Sequence, residues 1–440
     1  MRKRKNVKFT AVVVRTVVTV ALLCMCSAVT EAATNSFKTL FTFNGPDGYS
    51  PTDTLVTDAQ GNLYGTTSQG GALNLGVVFE LTPTAQGQWK DTILYSFAGG
   101  SDGVAPWSGV IFDSKGNIYG TTVGGGRYSN CTKGCGTVFQ LTKGAGGTWT
   151  EQILYSFFGK SDGYAPNGLA IDAEGNLYGT TEFGGSSNCS YGSCGTIFKL
   201  TPSSSGPWKK TLLHGFRGGL GDGAQPRAAL VFDSKGNLYG TANVGGNTGC
   251  YFLGCGAVFE LKPAAGGHWN YNVIYLFGVA PDAFLPSGAL VFDKQGNLYG
   301  ATGVGGGTAT LCPDYGCGTV FELTPQSDGT WTESVLYRFQ GGYDGDGPNA
   351  PVVITSKGNV YVATNAGGYP QTCGGYGCGT VEELTPSGSG DWTGNVVVQF
   401  GASPGITPYA GLTTDANGNL YGTTNQGGKT GYGLVYEYTP

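Results

Sequence analysis

The chain alternates between short apolar segments and clusters of Gly, Pro, Asp and Asn, and no stretch of the repeating part carries a helical apolar period. One stretch reads "GVIFD" (109–113), "NIYGTT" (117–122), "GTVFQLT" (136–142) and "TEQILYSF" (150–157). Each segment is rich in β-branched and aromatic residues and ends at turn residues, so each predicts a β-strand. Between the first two lies "DSKGN". Its Asp caps a turn through the carboxylate and its Gly suits a positive φ, which predicts a hairpin.

The hairpin phrase keeps returning, as "DAQGNLYGT" from Asp58, "DAEGNLYGT" from Asp172 and "DSKGNLYGT" from Asp233. Its Gly-Asn pair begins at Gly61, Gly116, Gly175, Gly236, Gly296, Gly358 and Gly418, at intervals of 55, 59, 61, 60, 62 and 60. Self-similarity at this period means one supersecondary unit per repeat, each burying its face against the next. Length alone suggests two or three domains at about 150 residues each, and the periodicity overrules it. Seven units of four strands predict an all-β fold: a seven-bladed β-propeller with four antiparallel strands per blade, one domain over residues 33–440. The last unit stops at "LVYEYTP" after three strands, and "FKTLFTF" (37–43) ahead of the first unit matches the missing fourth. The ring is therefore predicted to close by pairing the N-terminal strand with the C-terminal blade, which leaves no open edge there.

Glycine, at 80 of 440 residues, would suggest disorder were it not placed periodically. Gly65, Gly120, Gly179, Gly240 and Gly300 fall mid-strand, where glycine marks close approach of another group. The expected visitor is a tryptophan of a neighbouring blade, from Trp89, Trp149, Trp208, Trp269, Trp331 and Trp392, all read as structural. At the N-terminus, basic "MRKRKNVK", the apolar run Val17–Val29 and small residues in "TEAAT" predict a signal peptide over residues 1–32. A retained anchor is the alternative. Arg15 leaves the run too short for a span of about 20 apolar residues, so the expectation is an exported, extracellular or periplasmic monomer without a membrane span. Removing residues 1–32 deletes six basic residues and one acidic, which leaves 18 against 28 and a net charge of −10. An acidic surface disfavours a nucleic-acid partner.

Ten cysteines follow the signal segment and form five local pairs: Cys131/Cys135, Cys189/Cys194, Cys250/Cys255, Cys312/Cys317 and Cys373/Cys378. All lie between the second and third strands of units two to six, and the shorter connections of units one and seven have none. An even count in an exported chain predicts disulfides, each worth roughly 2 kcal/mol for so short a loop. Zinc is the alternative, but two pairs would have to converge on one ion and these belong to different blades.

No catalytic constellation or cofactor motif is evident. His214 occupies a slot held by Tyr in other units, and His268 sits in a "GGHW" turn, so they read as packing and exposed residues. Asp47, Asp102, Asp162, Asp222, Asp282 and Asp344 each stand four residues before a Pro. Such loops could offer oxygens to calcium, although Asp-Gly is ordinary turn chemistry. Just after that Pro the units differ: Thr52-Asp53, Trp107-Ser108, Asn167, Arg227, Ser287, Asn349 and Tyr409. These positions should enter the innermost strand near a channel mouth, and Asp53, Trp107, Asn167, Arg227, Asn349 and Tyr409 are the candidate ligand-binding residues. Unit six diverges furthest, with Thr355 for the turn Asp, "VYVAT" for "LYGTT", and Glu382 where other units carry Phe79, Phe139 or Phe321. Glu382 reads either as an acid with a raised pKa or as an exposed blade edge.

The combination "DG…P…L..D..GNLYGTT..GG…GTVF.LT" over residues 37–440 resembles the GloVer tandem repeat of exported bacterial proteins, and its "GN.Y" core is similar to NHL-type propellers. The first resemblance implies no activity, and the second implies an interaction platform. Three functional readings follow: a scaffold binding an extracellular glycan or protein at a channel mouth, a polysaccharide lyase or hydrolase using Glu382 or channel-facing Asp residues, and a passive envelope component.

Overall fold

The computed structural model describes residues 35–440 except 187–188, 190–191, 204–206, 248, 251–253, 280, 308–310, 313–314, 370 and 389, so the expected signal peptide lies outside the described residues. Strands form where the apolar segments stood. Blade 1 pairs Tyr49–Pro51 and Val56–Thr57 with Leu63–Gln69, then Val77–Pro83 and Trp89–Ser96. The same antiparallel order recurs in blades 2 to 6, whose outer strands are Trp149–Ser156, Lys209–Gly215, Trp269–Leu276, Trp331–Arg338 and Trp392–Gln399. Blade 7 combines Thr413–Thr414, Leu420–Thr424 and Leu434–Thr439 with the N-terminal strand Ser36–Thr42. Ser36 pairs with Thr439 and Thr42 with Leu434, so the ring closes as the missing fourth strand predicted. Seven blades and no α-helix are present among the described residues, and none of their helices could cross a membrane.

The turn phrase works as its residues require. In blade 1, Asp58 Oδ1 accepts the backbone N–H groups of Gln60 and Asn62, and Oδ2 accepts from Asn62 Nδ2 and the Tyr64 hydroxyl. Gly61 takes φ +81°, a conformation that costs a non-glycine residue about 1 kcal/mol. Thr355 keeps only part of this in blade 6, where Asn359 Nδ2 donates to Glu383 instead.

Hydrophobic burial is concentrated between blades. At four junctions a fully buried Phe after the outer strand meets the third-strand Phe of the next blade edge to face: Phe43 on Phe79, Phe97 on Phe139, Phe157 on Phe198 and Phe277 on Phe321, with ring centroids 5.1–5.2 Å apart. These third-strand rings, and not the tryptophans, explain the mid-strand glycines. A Cβ on Gly120 would lie 2.5 Å from Phe139 Cζ, and one on Gly300 2.5 Å from Phe321 Cζ. The tryptophans sit half-buried at the outer end of each interface, where Trp269 packs on Tyr178 and Trp331 on Tyr239 of the preceding blade.

A clasp repeats at every blade junction. The residue before each inner-strand Pro has a positive φ: Ser50, Ala105, Ala165, Gln225, Leu285 and Thr407 at 52–59°, and Gly347 at 67°. Each is held by its own N–H, which bonds a carbonyl of the preceding blade: Ala165 to Cys135, Gln225 to Cys194, Leu285 to Cys255, Gly347 to Cys317 and Thr407 to Cys378. The accepting residue is followed by a positive-φ Gly on which the Pro ring rests. A Cβ on Gly136, Gly256 or Gly318 would meet the Cδ of Pro166, Pro286 or Pro348 at 2.5–2.6 Å. Strain in the one strand is thus held by a hydrogen bond and a fitted ring from the other.

Gly256→Ala should therefore cost several kcal/mol, because strain and a clash with Pro286 and two carbonyls coincide. Gly236→Ala, also at positive φ but with open space around it, should cost only about 1 kcal/mol. Urea unfolding of the two variants checks the order.

Candidate functional site

The inner strands of successive blades touch around the middle of the ring. A Cβ on Gly109 would meet the Thr54 carbonyl at 2.7 Å, one on Gly168 the Ala229 side chain at 2.7 Å, and one on Gly411 would meet both Thr54 and Pro351. In blades 1 to 4 a second-strand threonine ties the blade to the next inner segment, as where Thr66 donates to the Ser108 carbonyl, Thr180 to Ala228 and Thr241 to Gly288. The residues following the clasp Pro thus surround one mouth, at the end where the disulfide loops and the interblade connections also lie.

The candidate residues divide into two kinds. Seven positions separate the Pro from the turn residue in blades 1, 2, 4, 5, 6 and 7, but only six in blade 3 (Pro166 to Asp172). Blade 3 is one residue short, and its inner strand runs unbroken from Tyr164 to Ile171. Thr52, Trp107, Arg227, Ser287, Asn349 and Tyr409 are therefore equivalent, while Asp53, Ser108 and Asn167 occupy the next position. That next position is spent on the frame. Asp53 accepts from the N–H groups of Thr54 (2.6 Å) and Gly109 (2.5 Å), and Asn167 Nδ2 donates to the Pro226 carbonyl at 2.8 Å. Burial raises the Asp53 pKa against those hydrogen bonds. The first position faces outward: Trp107 is 56% and Tyr409 50% exposed, flanking blade 1 from either side.

A second layer escaped the sequence reading. The residue after the second-strand Thr pair reaches the mouth position of the following blade. Glu182 accepts from Arg227 Nε at 2.9 Å and Asn243 Nδ2 donates to Ser287 Oγ at 2.9 Å, whereas Asn425 Oδ1 accepts from the hydroxyl of Ser50, on the clasp ahead of the mouth position. Gly303 leaves the space that Asn349 Oδ1 fills. The available signal was covariation between units, with Ser68, Val123, Glu182, Asn243, Gly303, Asn365 and Asn425 varying at one slot inside an otherwise uniform strand.

The loop aspartates serve the connections. Asp102 accepts from the N–H groups of Ala98 and Gly103 and from the Tyr95 hydroxyl. Asp222 does so with His214 in place of Tyr, at 3.3 Å, and the His214 ring stacks on Tyr271 at 3.7 Å. A cation at these loops would have to displace such bonds. Asp47, Asp102, Asp162, Asp222 and Asp282 also face the outer strand of the blade they lead into. Lys210 meets Asp162 at 2.6 Å, but Asp91, Glu151 and Glu333 oppose Asp47, Asp102 and Asp282. Burial and then the facing carboxylate push these three up to about 7.

Glu382 is the extreme case. It is fully buried, not at an exposed edge, and stands in the third-strand aromatic slot, where Phe339 would otherwise find its partner ring. Val362 fills the space made by the missing ring, taking the slot of the mid-strand Gly. Thr380 donates to Glu382 Oε1 at 3.0 Å, and burial beside Asp344 holds its carboxyl protonated well above the usual range.

All five cysteine pairs are joined as disulfides, with Cα–Cα distances of 5.0–5.6 Å. Cys312, Cys317 and Asp346 bring metal-capable atoms together, but the two sulfurs are bonded to each other and offer no thiolate. His268 is exposed in its turn.

A family model described as the Gloeobacter/Verrucomicrobia repeat matches residues 28–132 and 87–312. Among solved structures, virginiamycin B lyase from Staphylococcus aureus is similar at 13% identity and a TM-score of 0.50, covering 92% of this chain and all of that one. The structure of a putative oxidoreductase (glucose dehydrogenase) from Thermus thermophilus is 16% identical with a TM-score of 0.41, covering 78% of this chain and 99% of its own. No curated protein sequence matches. The likeness to the lyase structure shows the propeller fold alone.

Two outcomes follow for the acid pairs. Glu382→Phe alone should destabilise by about 1–3 kcal/mol, because the ring overpacks against Val362, and adding Val362→Gly should restore most of the loss in urea titrations. Carboxyls with raised folded pKa values stabilise fully below their unfolded pKa and lose that contribution as pH climbs through the folded one. Melting temperature should therefore fall between pH 5 and pH 9 as Asp91, Glu151 and Glu333 ionise near 7 and Glu382 above them, and Glu382→Gln should flatten the high-pH part of the decline.

Proposed function

This chain belongs to the Gloeobacter/Verrucomicrobia repeat family, and we propose that its seven units form an exported binding scaffold for an extracellular glycan or protein, held at the mouth of the ring. One observation carries the reading: a uniform frame presents a single ring of positions, Thr52, Trp107, Arg227, Ser287, Asn349 and Tyr409, whose side chains differ from blade to blade. Free drift would leave such positions unsupported. Here Arg227, Ser287 and Asn349 are positioned by second-layer residues that differ with them. Two aromatic faces, a guanidinium, a neutral amide and two hydroxyls suit stacking on, and hydrogen bonding to, a polyhydroxylated ligand. The five disulfides are in keeping with an oxidising compartment outside the cytosol.

A panel of soluble polysaccharides and outer-surface protein extracts, read for binding and for released product, tests the proposal. Trp107→Ala and Tyr409→Ala should each weaken binding about tenfold or more at unchanged melting temperature. Binding that survives both substitutions, or turnover in place of retention, would sink it.

A further inference from the structure

The junction between blades 7 and 1 is built differently from the others. Its flanking connections, 70–76 and 427–433, lack the cysteine pair and are shorter. Thr423 Oγ1 is buried without a partner, as is Thr54 Oγ1 across the junction, so the threonine tie of blades 1 to 4 is missing here, as it is after blades 5 and 6, where Ala301 and Ala363 take that slot. What opens at the surface is a cleft of about 520 Å³, lined among others by Gly45, Tyr49, Gly71, Ala72, Asn74 and Tyr432.

The chemistry of this cleft is specific. Tyr49 and Tyr432 cross edge to face, with centroids 5.0 Å apart and planes at 78°, and Tyr432 is 39% exposed. The floor is glycine by necessity: Gly45, Gly70 and Gly71 have φ +98°, +86° and +76°, and a Cβ on Gly70 would strike the Gly45 carbonyl at 2.5 Å. Asn74 Oδ1 is taken by the Gly70 N–H at 2.8 Å, which leaves Nδ2 as a donor. Among the described residues no charged side chain lines the cleft.

We propose that this cleft binds a neutral pyranose unit of a glycan, a second site on the same face as the mouth. The inference rests on reading that face as a binding surface, but not on the mouth residues. A pyranose offers an apolar C–H face for a tyrosine ring and a rim of hydroxyls for the Asn74 amide and the tyrosine hydroxyls. An anionic sugar would find no cation among the residues lining the cleft. A proline-rich peptide could stack on the rings but would leave the neutral donors unmatched, which costs affinity.

The test is isothermal titration of the disulfide-intact protein with cellohexaose, maltohexaose and xylohexaose, with hexagalacturonate and a proline-rich decapeptide as contrasts. At least one neutral hexasaccharide should bind, and Tyr432→Ala and Ala72→Trp should each weaken it tenfold or more. Ala72 is exposed at the rim, so its Trp variant blocks the cleft while removing nothing, and it decides the outcome if Tyr432→Ala fails to fold. Loss in these two variants with binding kept in Trp107→Ala supports the cleft and sinks the mouth. Loss in Trp107→Ala alone sinks the cleft and leaves the mouth standing. No neutral hexasaccharide bound, or preference for the uronate or the peptide, overturns the proposal.

Discussion

The ring depends on the clasp between each clasp Pro and the glycine of the blade before it. A positive-φ residue ahead of a proline is costly, and the chain adopts it at all seven junctions. The cost is met by one backbone hydrogen bond from the preceding blade and by a proline ring seated where no Cβ could be. Each blade thereby sets the direction in which the next inner strand leaves. At five junctions the carbonyl that holds the strained residue belongs to a disulfide-bonded cysteine. The short staples thus brace the loop end that does the holding, a local role that loop-closure entropy alone does not describe.

With direction set by the clasp, the interfaces between blades need only be filled. Phenylalanine rings meeting edge to face do this, under glycines that make room for them. Blade 6 shows how tightly the parts are coupled. Exchanging the ring for Glu382 goes with exchanging the glycine for Val362, and the buried carboxyl survives by keeping its proton beside Asp344. Because the frame is held from junction to junction, the residues just beyond each clasp are released from packing duty, and it is there that the units diverge.

The repeat, its strands, the closing of the ring and the cysteine pairing were all legible in the chain. Each is a local pattern or a count: an Asp-x-x-Gly-Asn turn spells its own hairpin, three strands at one end imply a fourth at the other, and cysteines four or five residues apart can reach each other. What Asp53 and Asn167 bond, the Gly109 N–H and the Pro226 carbonyl of the following blade, was not legible in the chain. The occupants of the mid-strand glycines, the burial of Glu382 and the second layer at Glu182 and Asn243 were likewise hidden. So was the cleft between the first and last blades. Each depends on which surfaces of two distant segments come face to face, and sequence proximity carries no information about that. Local hydrogen-bonding capacity and periodicity determined the blade; the tertiary structure decided what each blade presents to its neighbour, because contact between blades is set by the clasp geometry and not by any residue's own preference.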